Sequence, residues 1–140
     1  MSNSNQVLYK EKNATVEYSA SNQCLTINIH GFLTSPQLIK LFENGYKLYT
    51  TAVQPNTGVV LNTEKLGAVK KAEQDWLRDT WNLQMYKAGM KKLAIINADN
   101  IFGEVAINTL KENVNQAVRY AIAAKSFKDM KAAHHWLANG

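Results

Sequence analysis

His30, beside Gly31, carries the one side-chain type that titrates near neutral pH, which makes it a candidate general base. No nucleophile or orienting carboxylate stands at a fixed spacing from it, so a structural or surface histidine is the simpler reading. His134 and His135 form an adjacent pair. Neighbours on a helix point about 100° apart, whereas a shared metal wants ligands at i and i+4. His134 falls beside the apolar stripe of its helix and His135 toward solvent, and no metal site is expected. Cys24 is the single cysteine, which excludes an internal disulfide and a Cys-based metal centre. A small buried hydrophobe is its expected role. Gly67 and Gly103 belong to no phosphate-cradling pattern, so no cofactor is expected.

Polar residues that follow apolar runs are the remaining candidates. In an open α/β sheet, ligands gather beyond the carboxyl ends of the parallel strands. Asn62, Thr63 and Glu64 follow one apolar run, and Asn97, Asp99 and Asn100 follow the next. His30 joins them if its own strand runs parallel to these. The candidate ligand-binding set is therefore His30, Asn62, Thr63 and Asp99. Asp99 and Asn100 have a competing structural duty as helix caps.

The elements that must position these residues are legible as alternating patterns. Gln6 to Lys12 and Ala14 to Ala20 read as two strands joined at Asn13, with Val16 and Tyr18 alternating with polar neighbours. Leu25, Ile27 and Ile29 alternate again, which makes a three-stranded meander ending at His30-Gly31. Ser35 caps a helix with Pro36 at its first position. Its apolar stripe is Leu38, Leu41, Phe42, Gly45, Leu48, Tyr49 and Ala52, and Gly45 on that stripe predicts close approach to the sheet. Gly58–Leu61 reads as a central strand, and Asn62 to Lys71 as a polar loop.

A long helix from Ala72 follows, with Gly89 as its left-handed stop and lysines at its C-terminal end. Leu93–Ile96 is a continuous apolar run, the mark of a strand covered on both faces. Asp99 or Asn100 caps a third helix. Val118, Tyr120 and Ile122 alternate as a late strand. Ser126 and Asp129 open a last helix whose core side is Phe127, Met130, Ala133 and Leu137. This order predicts one α/β domain over residues 1–140. Its mixed sheet has an antiparallel N-terminal meander and parallel central strands, with helices packed on it.

Bulk composition narrows the class. A chain of this length buries roughly 68–70% of its unfolded surface, so it needs no metal or disulfide to fold. No apolar run approaches a membrane span, and the MSNSNQ start carries no secretory pattern. A reducing, cytoplasmic location is expected. The formal charge is +5, but fourteen of the sixteen basic residues are lysines scattered in small clusters. Nucleic-acid binding more often shows arginines and aromatics interleaved on one element, so no nucleic-acid partner is expected.

Gly31-Phe32 before a helix, the Val59–Leu61 strand, Asp75-Trp76-Leu77, Trp81, Ala88-Gly89-Met90-Lys91, Ala94-Ile95 and the terminal Ala133–Leu137 together resemble small bacterial SpoIIAA-like proteins, also described as STAS- or SEC14-like domains. The resemblance implies the same order of strands and helices. Anti-sigma-factor antagonists of that fold carry a phosphorylatable serine at the start of the helix after the central strand. Here that loop runs from Asn62 to Val69 with Thr63 as its only hydroxyl, and no serine stands between Pro36 and Lys125. The phosphorylation switch is therefore not implied.

These observations point to a non-enzymatic regulatory or protein-interaction domain. The alternative is a carrier or sensor of a small apolar or lipid-like ligand. The long helix adds an expectation about partners. Ala72, Trp76 and Leu83 form one apolar stripe, and Leu77, Trp81, Met85 and Ala88 a second beside it. With the Trp76 stripe on the sheet, Leu77, Trp81 and Met85 are expected at the interface of a symmetric homodimer.

Overall fold

The computed structural model describes residues 6–53, 57–63, 70–96 and 123–139. Its centre is a six-stranded sheet whose spatial order equals its chain order: β1 (Gln6–Glu11), β2 (Ala14–Ser19), β3 (Cys24–Ile29), β4 (Gly58–Asn62), β5 (Lys92–Ile96) and β6 (Ala123–Phe127). The first three strands pair antiparallel. From β3 onward every pair is parallel. This is the mixed α/β sheet that the alternating patterns predict.

The strand β3 is the joint between the two halves, and it departs from the half-buried alternation expected of it. All six of its residues are buried. Its partners on both sides make it a central strand, with Leu25, Ile27 and Ile29 on one face and Cys24, Thr26 and Asn28 on the other. The runs in β4 and β5 are buried on both faces, as continuous apolar sequence predicts.

Helix α1 (Ser35–Thr51) packs Leu38, Leu41, Phe42, Gly45 and Tyr49 inward. Its cap is Thr34 rather than Ser35. The Thr34 hydroxyl accepts from the Gln37 N–H at 3.3 Å, and the Gln37 side chain accepts from the Thr34 N–H at 2.9 Å. That reciprocal box needs a glutamine three residues on, which Thr34 has and Ser35 lacks. Gly45 lies against the sheet as predicted: a Cβ there would stand 3.0 Å from Ile27 Cδ1. Leu48 is only half-buried and Ala52 is exposed at the helix end.

The long helix is one run with a change of pitch, from α2 (Lys71–Trp76) through a π-helical segment (Leu77–Trp81) to α3 (Asn82–Lys87). Gly89 closes it with φ +106°. The Met90 N–H donates to the Met85 carbonyl at 2.9 Å and the Gly89 N–H to that of Tyr86 at 3.0 Å, the paired bonds of a Schellman stop. The last helix, α4 (Met130–Asn139), starts later than expected. Asp129 caps it, accepting from the Ala132 N–H at 2.8 Å. Ser126 and Phe127, assigned to that helix by residue type, belong to β6 instead. Val118, Tyr120 and Ile122, read as the late strand, lie outside the described residues, as does the third helix.

The core is in two layers. On one face of the sheet, α1 and the long helix cover Val16, Leu25, Ile27, Val59, Leu61, Leu93 and Ile95. On the other face Ala133, Met130, Trp136 and Leu137 pack on Val60, Ala94 and Ile96. Leu77, Trp81 and Met85, expected at a dimer interface, are 3%, 0% and 0% exposed inside the chain's own core. Trp76 and Leu83, expected beneath, are half-buried, and Ala72 is exposed. The two faces of this helix are thus the reverse of the expectation. A π turn takes more residues than an α turn, so positions four apart stay in line. Leu77, Trp81 and Met85 stand at that spacing and form the inward stripe. No helix among the described residues is long and apolar enough to cross a membrane.

Candidate functional site

Because β3, β4 and β5 run parallel, their carboxyl ends lie at one edge of the sheet. His30, Asn62 and Thr63 are therefore brought to the same end, while Asp99 lies outside the described residues. His30 is exposed, and its main-chain N–H donates to the Asn13 carbonyl at 2.7 Å. Thr63 is fully buried. Its N–H and its hydroxyl both donate to the Ile96 carbonyl, which ties the end of β4 to that of β5. A threonine so used is a structural clasp rather than a ligand contact.

Asn62 belongs to a row of polar side chains across three strands. Thr15, Asn28 and Asn62 are directly paired in register on β2, β3 and β4. The Asn62 amide donates to Asn28 Oδ1 at 3.0 Å. The Asn28 amide donates in turn to Glu17 Oε2 at 3.0 Å and to Thr15 Oγ1 at 3.3 Å. The Thr15 hydroxyl also donates to Glu17 Oε2, at 3.1 Å. Continuing across the sheet, the same row becomes Ile96 and Phe127. This row is therefore polar over β2–β4 and apolar over β5 and β6. Asn28 and Glu17 were not singled out from the sequence. The signal was an asparagine inside a run of strand-forming residues, where it is otherwise unfavourable.

Beside these strand ends, the start of α1 and the start of α2 enclose a cleft of about 260 Å³. Glu73 forms its wall and is 5% exposed. One of its carboxylate oxygens accepts from the Ser35 hydroxyl. The other accepts from the Lys70 N–H at 3.0 Å, the reach-back of a residue in the first turn of a helix. Phe32 stands at the rim and is 64% exposed. Its carbonyl accepts from the Asn13 side chain at 2.8 Å, so the turn between β1 and β2 holds this segment in place.

The remaining singled-out residues are dispersed. Cys24 is fully buried at the other end of β3, and burial pushes its thiol pKa up despite a contact with the Thr26 hydroxyl. His135 is exposed on α4. His134 is half-buried, its Nε2 is without a hydrogen-bond partner among the described residues, and burial lowers its pKa. Among the described residues no group of three or more His, Cys, Asp or Glu side chains could hold a metal ion. No family model, curated protein or solved structure matches the chain.

Proposed function

We propose that this chain is a regulatory or protein-interaction domain that carries out no reaction of its own and meets its protein partner through the Phe32 rim. The observation that carries this reading is the exposure of Phe32 on a segment held from both sides. Asn13 fixes its carbonyl, and the Thr34–Gln37 box fixes the helix that follows. An exposed aromatic on a rigid support suits an interface, because it buries a large area at little cost in conformational freedom.

The polar groups nearby support the same reading. Thr63 is spent on the Ile96 carbonyl, Asn62 on Asn28, and both oxygens of Glu73 on local donors. Among the described residues, this leaves the exposed Phe32 ring beside the exposed His30 for a partner. The resemblance to SpoIIAA-like proteins agrees with such a role.

A photo-reactive phenylalanine analogue at position 32 tests the proposal. Irradiation in the native host is expected to give adducts of discrete protein mass. The same analogue at Lys10, exposed on β1, is expected to give none of these bands. Absence of adducts from position 32, or identical bands from both positions, would overturn the reading.

A further inference from the structure

The edge strand β6 and helix α4 border a groove of about 700 Å³, far from the Phe32 rim in sequence and in the sheet order. Its floor is aromatic. Phe127 and Trp136 stand with ring centroids 5.5 Å apart and planes inclined by 44°. Its rim is cationic. Lys125 and Lys131 are both exposed there, and the Lys125 ammonium lies 5.7 Å from the centre of the Phe127 ring. Behind the floor rather than on the rim, the Lys92 ammonium lies 5.5 Å from the centre of the Trp136 ring and donates to the Trp136 and Leu137 carbonyls at 3.5 Å. Among the described residues, Asp129 is the one carboxylate lining the groove, and it already accepts from the Ala132 N–H as the cap of α4.

The groove therefore offers two flat apolar surfaces and an excess of positive charge. Its volume lies in the range of sites that take one small molecule. We propose that it binds a small amphipathic anion, a flat apolar body bearing one carboxylate. The body lies on Phe127 and Trp136, and the carboxylate meets Lys125 and Lys131. An uncharged apolar body would gain the floor alone, and a small inorganic anion the rim alone. This is a separate site from the Phe32 rim, and its failure would leave the protein-interaction reading untouched.

Naphthoate and its uncharged amide distinguish these contributions, followed by backbone and indole amide shifts of the full chain in a low-salt NMR titration. Naphthoate is expected to bind saturably, with the largest shifts at Phe127, His135 and the Trp136 indole. It is expected to bind about tenfold tighter than the amide, the scale of two exposed charge contacts. The doubly substituted Lys125→Gln/Lys131→Gln protein should bind naphthoate as weakly as it binds the amide, with its unfolding midpoint unchanged because both side chains are exposed. Equal binding of the two probes by the wild type, naphthoate binding unaffected by the double substitution, shifts centred elsewhere, or no saturable binding would each overturn the proposal.

Discussion

The indole N–H of Trp81 donates to the main-chain carbonyl of Phe42 at 3.0 Å, and the two rings meet edge to face with centroids 4.9 Å apart. This pair locks the π-helical segment of the long helix onto α1. A buried indole needs a partner for its N–H, and a helical carbonyl has a second lone pair to offer. Trp81→Ala is expected to cost about 3–5 kcal/mol by leaving a large cavity. Trp76→Ala, at a half-buried position, should cost no more than about 2 kcal/mol. Denaturant melts of both variants check this ordering, and the reverse order would contradict the assignment of the two faces.

Gly58 and Leu137 are a second close pair. A Cβ on residue 58 would stand 2.7 Å from Leu137 Cδ2, too near for any ordinary contact. Gly58→Ala is expected to destabilise by about 1–3 kcal/mol through overpacking beneath α4. The loss should shrink in a Leu137→Ala background, where the obstructing methyl groups are gone. A double-mutant cycle with a coupling of about 0.5–3 kcal/mol is the expected reading, and strict additivity would contradict it.

His134 gives the stability a pH dependence of defined sign. Burial lowers its folded pKa below the ordinary histidine value of 6.5, so the unfolded chain takes up the proton first. Its neutral form sets no pH dependence well above that unfolded value. As pH falls below about 6.5, stability drops, and the loss levels off once the folded pKa is passed. His134→Leu should remove this component, so the wild-type and variant curves converge toward alkaline pH relative to one another and separate in mild acid. A constant difference across pH 5–8 would contradict it.

Cys24 is expected to resist modification in the folded chain. It is fully buried, and its raised pKa keeps the thiolate scarce. A thiol-specific chromogenic reagent should react slowly with the native protein and at once in denaturant. Equal rates in the two states would contradict the burial.

The fold was legible where one physical signal dominated. Val16 alternates with Thr15 and Glu17 because β2 has one face on the core, and Leu93–Ile96 is uninterrupted because β5 is covered on both. Gly89 announced its stop because few other residues tolerate its φ. Errors arose where two readings share the same residues. Thr34 and Ser35 both carry a capping hydroxyl, and only Gln37 decides between them. Phe127 fits the inward stripe of a helix as well as a strand, and the alanines before it favour neither, so residue type alone gave Ser126 and Phe127 to the last helix rather than to β6. The Trp76 and Trp81 stripes are both apolar, and nothing in the local sequence decides which of them faces the sheet.

The site was less legible than the scaffold. Asn62 and Thr63 were found by their place after an apolar run, but their bonding partners lie on other strands. Asn28 is thirty-four residues from Asn62, and Ile96 thirty-three from Thr63. Only the pairing of β3, β4 and β5 brings them together. The exposure of Phe32 likewise depends on where Asn13 and the start of α1 hold its backbone.

The most direct test of the interaction reading is the affinity of the partner identified by cross-linking at position 32, measured for the wild type and for Phe32→Ala. The side chain is mostly exposed, so its removal should leave the unfolding midpoint unchanged. Truncating an aromatic anchor at an interface typically costs about 2 kcal/mol or more, so the affinity should fall roughly thirtyfold. An unchanged affinity in a fully folded Phe32→Ala protein would contradict the account.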